Sequence, residues 1–151
     1  MTSATPFPIN HNIDLINKAL EYPYSRPIKS FKLSNGRVET GSFEFDKLLR
    51  TPVIACGSNS APEQLLRKFG SDHDPIFVTA AILKGFRCTY SAHITSYGSI
   101  PATLSRLPQE ETDCHITWLT DAQISKMHMT EAIGINYRYS KLSNLKLHCN
   151  I

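Results

Sequence analysis

Apolar positions along the chain change period several times, and each change marks an element. After an unpatterned arm over residues 1–11, Asn12 stands where it can cap a short helix, with Ile13, Ile16 and Leu20 at helical spacing. Pro23 and Pro27 then keep the chain extended, because the residue before a proline avoids the helical region. Residues 28–33 and 37–45 alternate weakly about Ser34-Asn35-Gly36, which predicts a hairpin with an Asn-Gly turn. A short apolar run at residues 53–56 reads as a buried strand. Gly57-Ser58-Asn59 follows as a tight turn, and a helix then runs to about Phe69. Its expected start is a capping box of Ser60 and Glu63 with Pro62 in the first turn, and its stop is Gly70.

Residues 71–75 read as loop, residues 76–83 and 85–90 as two strands, and Tyr97-Gly98-Ser99 as a turn. Residues 101–104 and 112–119 suit two more strands around a turn at Pro108. A Thr120/Gln123 capping box opens a helix from Asp121 to about Ile133, which stops near Gly134; residues 137–147 suit a final strand. Strands outnumber helices and mostly follow one another directly, so the expected fold class is α+β with a mixed or antiparallel sheet. Residues 1–50 carry no recognisable chemistry and read as an N-terminal extension of arm, short helix and hairpin. Residues 51–151 read as the main domain.

The length of 151 residues suits one such domain, and a net charge of +3 from 16 basic and 13 acidic residues is too small and scattered for a nucleic-acid or anionic-membrane partner. No apolar run approaches the ~18 residues of a membrane span, and the first residues lack the basic and apolar regions of a signal peptide. Cys56, Cys88, Cys114 and Cys149 form no Cys-x-x-Cys pair, so reduced thiols, no structural zinc and a cytoplasmic location are expected. Oligomeric state is left open.

Two places carry candidate chemistry. The strand–turn–helix junction at Gly57-Ser58-Asn59 gathers backbone N–H groups at the positive end of a helix dipole, which suits a carboxylate or a developing oxyanion. In the later helix, counting by three and four from Ile124 and Met127 lands on His128 and Glu131, so Glu131 falls on the core-facing stripe. A carboxylate there must be paired, hydrogen-bonded or raised in pKa, and the last is what a general base needs. The alternative is a frayed helix end with Glu131 merely solvated. Cys56 beside the turn invites a nucleophile reading, but a small buried residue ending a strand is the simpler one. Ser58 is outside any Gly-x-Ser-x-Gly elbow. His128 with Glu131 supplies two metal ligands, an incomplete set. Trp118, Phe86, Tyr90 and Tyr137 read as core or pocket wall.

Together these pieces resemble the γ-glutamylcyclotransferase-like family. The resemblance rests on Cys56-Gly57-Ser58-Asn59, then Ile100-Pro101-Ala102-Thr103-Leu104, and Trp118-Leu119-Thr120 leading to Thr130-Glu131 and Tyr137, in order from Pro52 to about Tyr139. It implies a small mixed β-barrel or sheet with flanking helices and one pocket at its mouth. It also implies cyclisation of a γ-glutamyl group to 5-oxoproline with release of an amine or amino acid, without metal or organic cofactor. Glu131 would be the general acid/base, and Cys56, Gly57, Ser58, Asn59 and Tyr137 would contact the small-molecule substrate. Cys56 stands where the family has tyrosine, and Ala132 where many relatives have glycine. Little chain follows Tyr139, so the domain is expected to end short of its relatives. The alternative function is a non-catalytic module that binds a small ligand or a protein on the same fold.

Overall fold

The computed structural model describes residues 13–131, 134 and 138–149. Helix α1 (Ile13–Leu20) precedes a hairpin of β1 (Phe31–Ser34) and β2 (Arg37–Thr40). Its turn residues Asn35 and Gly36 have φ of 50° and 71°, the positive pair that matches the twist of flanking strands. Strand β3 (Thr51–Ala55) passes through a single 3-10 turn, Ser58–Ser60, into α2 (Pro62–Phe69). A long hairpin of β4 (Ile76–Tyr90) and β5 (Ala102–Leu119) leads to α3 (Asp121–Thr130), and β6 (Lys146–Cys149) comes last.

Every strand pairing is antiparallel, in the order β2-β1-β4-β5-β3, with β6 also on β4. The protein is thus α+β around an antiparallel sheet, one of the two arrangements expected, while the mixed sheet implied by the resemblance is not found among the described residues. Among the described residues the ladder keeps two ends, β2 and β3. On one face, Phe31, Leu33, Ile76, Val78 and Leu119 pack against Leu65 and Phe69 of α2 and Met127 of α3. On the other, Ala81, Leu83, Cys114 and Ile116 form a second core, flanked by Phe86, Leu104 and Leu147.

The segment expected as an extension contributes β1 and β2 to this sheet, and Phe31 and Leu33 are fully buried in its core. The four short strands expected over residues 76–119 are two long ones. Their register shifts once, where Gly85 (φ 81°) alone stands opposite residues 107–110 between the pairs Lys84↔Glu111 and Phe86↔Arg106. Pro108 therefore sits in a bulge, where its missing N–H breaks no ladder bond, rather than in a turn. Beyond the bulge the hairpin bends back over the sheet, so that the Cys88 thiol donates to the Cys56 carbonyl at 3.5 Å. The last strand is also corrected: among the described residues of this stretch only 146–149 pair, and Tyr137 lies outside the described residues. Tyr90 is exposed rather than core. No helix among the described residues is long and apolar enough to cross a membrane.

Because Phe31 belongs to the shared core, Phe31→Ala should lower unfolding stability by about 3–5 kcal/mol. The check is a urea titration whose midpoint falls while its slope is unchanged.

Candidate active site

A cavity of about 430 Å³ opens where β3 ends. The turn Cys56, Gly57, Ser58 and Asn59 forms one wall, Gln64 and Lys68 of α2 a second, and Thr130 and Glu131 at the end of α3 a third. Lys18 and Tyr22 reach it from the N-terminal segment, and Tyr97 and Ala102 from around the start of β5. All the sequence-predicted site residues that are described therefore meet on one cavity.

The turn is held by close approach. A Cβ on Gly57 would lie 2.7 Å from the Tyr22 hydroxyl and 3.1 Å from Ala102 Cβ, so a larger residue must push the Tyr22 side chain aside, although the φ of −113° is ordinary. The same hydroxyl accepts from the Ala102 amide at 2.6 Å. Behind the turn, Ser60 donates to the Gly57 carbonyl at 2.9 Å and accepts from Arg26 at 2.9 Å; Arg26 also donates to the Cys56 carbonyl at 3.4 Å. Ser60 is thereby occupied, which corrects its expected capping role: the residue capping α2 is Ala61, with no side-chain cap bond. The amides of Ser60 and Ala61 bond within the turn, whereas those of Gly57, Ser58 and Asn59 have no acceptor among the described residues. Free N–H groups of this kind suit an anion.

The Thr120/Gln123 capping box opens α3 as expected, with bonds of 2.9 and 3.3 Å. The helix ends earlier than expected, at Thr130, whose hydroxyl donates to the Met127 carbonyl at 2.8 Å. Glu131 is thus the C-cap residue (φ −104°, ψ 13°), four positions beyond buried Met127. Its Oε1 takes an ion pair from Lys68 and a hydrogen bond from Asn59 Nδ2 at 2.9 Å. The Glu131 side chain is 24% exposed and that of Lys68 only 6%, so Glu131 is not merely solvated at a frayed helix end. Asn59 Oδ1 and Gln64 Oε1, on two residues of the same cavity, are buried without a hydrogen-bond partner among the described residues.

Cys56 lines the cavity, but burial above all, with Cys88 nearby, pushes its thiol up to about 12, far from a nucleophilic thiolate. The His128 ring packs edge-on against Tyr139 with centroids 4.8 Å apart. Tyr137 and Ala132 lie outside the described residues. Lys68, Gln64, Lys18, Tyr22 and Arg26 join or brace the site without having been singled out from sequence. For Lys68 a signal existed: it falls three after Leu65 and beside Phe69, a charge on the apolar stripe of α2, as Glu131 is on that of α3. Nothing in their spacing marks Tyr22 or Arg26.

Compared with protein-family models, curated proteins and solved structures, the chain matches none.

Two outcomes follow from this geometry. Gly57→Ala should drive the Tyr22 hydroxyl off the Ala102 amide and narrow the cavity, costing about 1–3 kcal/mol by overpacking, read as a lower melting temperature. His115 gives a pH dependence. It is buried behind the turn, with Nε2 3.1 Å from the Pro27 carbonyl, and burial first, then the Arg26 charge, lowers its pKa below the ordinary 6.5. Its folded form is neutral, so its contribution is full above about 6.5 and is lost as pH falls through the lower folded value, because the unfolded chain protonates first. Thermal melts from pH 7.5 to 5 should show this loss, and His115→Gln should flatten it.

Proposed function

We propose that this protein is a γ-glutamylcyclotransferase-like enzyme of the corresponding fold, converting a γ-glutamyl compound to 5-oxoproline and a released amine or amino acid. The observation that carries this reading is the meeting of Glu131 with the Gly57-Ser58-Asn59 turn on one cavity, joined by the Asn59–Glu131 hydrogen bond. Glu131 supplies an acceptor for a substrate ammonium, and the unpartnered oxygens of Asn59 and Gln64 supply two more for its remaining N–H groups. The unused amides of the turn suit the α-carboxylate or the oxyanion that forms at the γ-carbonyl. Tyr22 brings a phenol to the wall where Cys56 has none.

In this reading Glu131 takes one proton from the α-ammonium, and the freed amine attacks the γ-carbonyl carbon of the same molecule. Nucleophile and electrophile arrive on one substrate, so positioning supplies much of the rate and no cofactor is needed. The proton held by Glu131 leaves with the released amine. The reading carries with it a cytoplasmic location and reduced thiols.

The test is 5-oxoproline release from a panel of γ-glutamyl amines and amino acids by wild type and Glu131→Gln. Wild type should turn over at least one compound, with the mutant slower by about 10²–10⁴-fold, the usual worth of a positioned acid/base. Equal rates would overturn the role of Glu131. No release from any compound by folded protein would instead assign the cavity to ligand binding.

A further inference from the structure

Lys68 is the least expected side chain of the cavity. Its side chain is 6% exposed, and a lysine is buried so far only with a partner, here Glu131. Such pairs rarely stabilise a fold, since packed apolar residues of similar volume do as well or better. The pair is therefore not explained by stability, and it stands on the cavity wall. An ammonium has three donors. One goes to Glu131 Oε1, one meets the weakly accepting Met127 Sδ at 3.2 Å, and the third has no acceptor among the described residues.

We propose that Lys68 is a second catalytic residue, the acid that protonates the leaving nitrogen. The inference rests on the cyclotransferase reading and divides its proton transfers between two groups. The amide nitrogen of a γ-glutamyl compound leaves poorly as an anion, so it needs a proton as its bond to the γ-carbon breaks. Glu131 is occupied at that point with the proton it has taken from the α-ammonium. Lys68 gives its proton to the leaving nitrogen, the carbon–nitrogen bond breaks, and the oxyanion collapses to the lactam carbonyl. The ring nitrogen sheds its second proton, which restores the Lys68 ammonium. The proton on Glu131 departs with the free amine as its ammonium, and both side chains regain their starting states.

Lys68→Arg separates acid from charge, because a guanidinium keeps the ion pair with Glu131 but does not give up its proton. The substrates are γ-glutamyl-ethylamine, whose leaving nitrogen needs protonation, and γ-glutamyl-p-nitroanilide, whose leaving group needs far less help. Lys68→Arg should lower kcat for the ethylamide by about 100-fold or more, with KM near wild type, while the anilide retains most of its rate. Lys68→Ala loses the charge as well as the acid, and methylamine, entering as methylammonium, should restore both and with them ethylamide turnover, a second route should the arginine variant fold poorly. Equal losses on both substrates, or none on either, would overturn the inference and leave Glu131 as the sole acid/base. Absence of 5-oxoproline release by wild type from both compounds would overturn the cyclotransferase reading and the inference with it.

Discussion

A buried ammonium needs a carboxylate, and in this protein that need fixes where two helices end up. Lys68 on α2 and Glu131 at the end of α3 come from segments far apart in sequence, and Lys68, with only 6% of its side chain exposed, meets Met127 Sδ as well as Glu131. Asn59, one turn before α2, bonds the same carboxylate oxygen, so three elements are held at a single atom. Removing the carboxylate would leave the Lys68 ammonium buried without its partner. The same three residues line the cavity, one on each of three walls, which is why the packing of the helices and the shape of the candidate site cannot vary independently.

A second constraint acts from the opposite side. The bulge at Gly85 turns the outer half of the long hairpin back over the sheet, and its end brings Ala102 to 3.1 Å from where a Cβ on Gly57 would stand. The N-terminal segment closes the remaining gap, with Tyr22 between Gly57 and Ala102, and Arg26 tying Ser60 and the Cys56 carbonyl from behind. The turn is therefore braced by three separate pieces of chain, and the amides of residues 57–59 have no acceptor among the described residues. Preorganised donors of that sort are worth most where water is kept out.

Much of this was legible along the chain. The Asn35-Gly36 hairpin, the helix ended by Gly70 and the Thr120/Gln123 capping box depend on residues within a few positions of each other, and all are present. Glu131 was legible as a charge on an apolar stripe, and Lys68 carried the same signal on α2. Other features misled because the competing partner was distant. Ser60 has the spacing of a cap, but Arg26 and the Gly57 carbonyl claim its hydroxyl. Pro108 has the look of a turn, but in a long antiparallel pair a bulge accommodates it equally well.

The sequence by itself determined the α+β class, most helix starts and stops, and a glycine turn and a late glutamate as two separate candidate places, because periodicity, caps and turn residues act over one or two turns of chain. The tertiary structure alone decided that the sheet is antiparallel with β1 inside it, that Glu131 is held by Lys68 and Asn59, and that Tyr22 and Arg26 complete the site. Those depend on contacts between residues tens of positions apart, whose energies come from burial and charge neutralisation in the folded interior, where no local spacing rule applies.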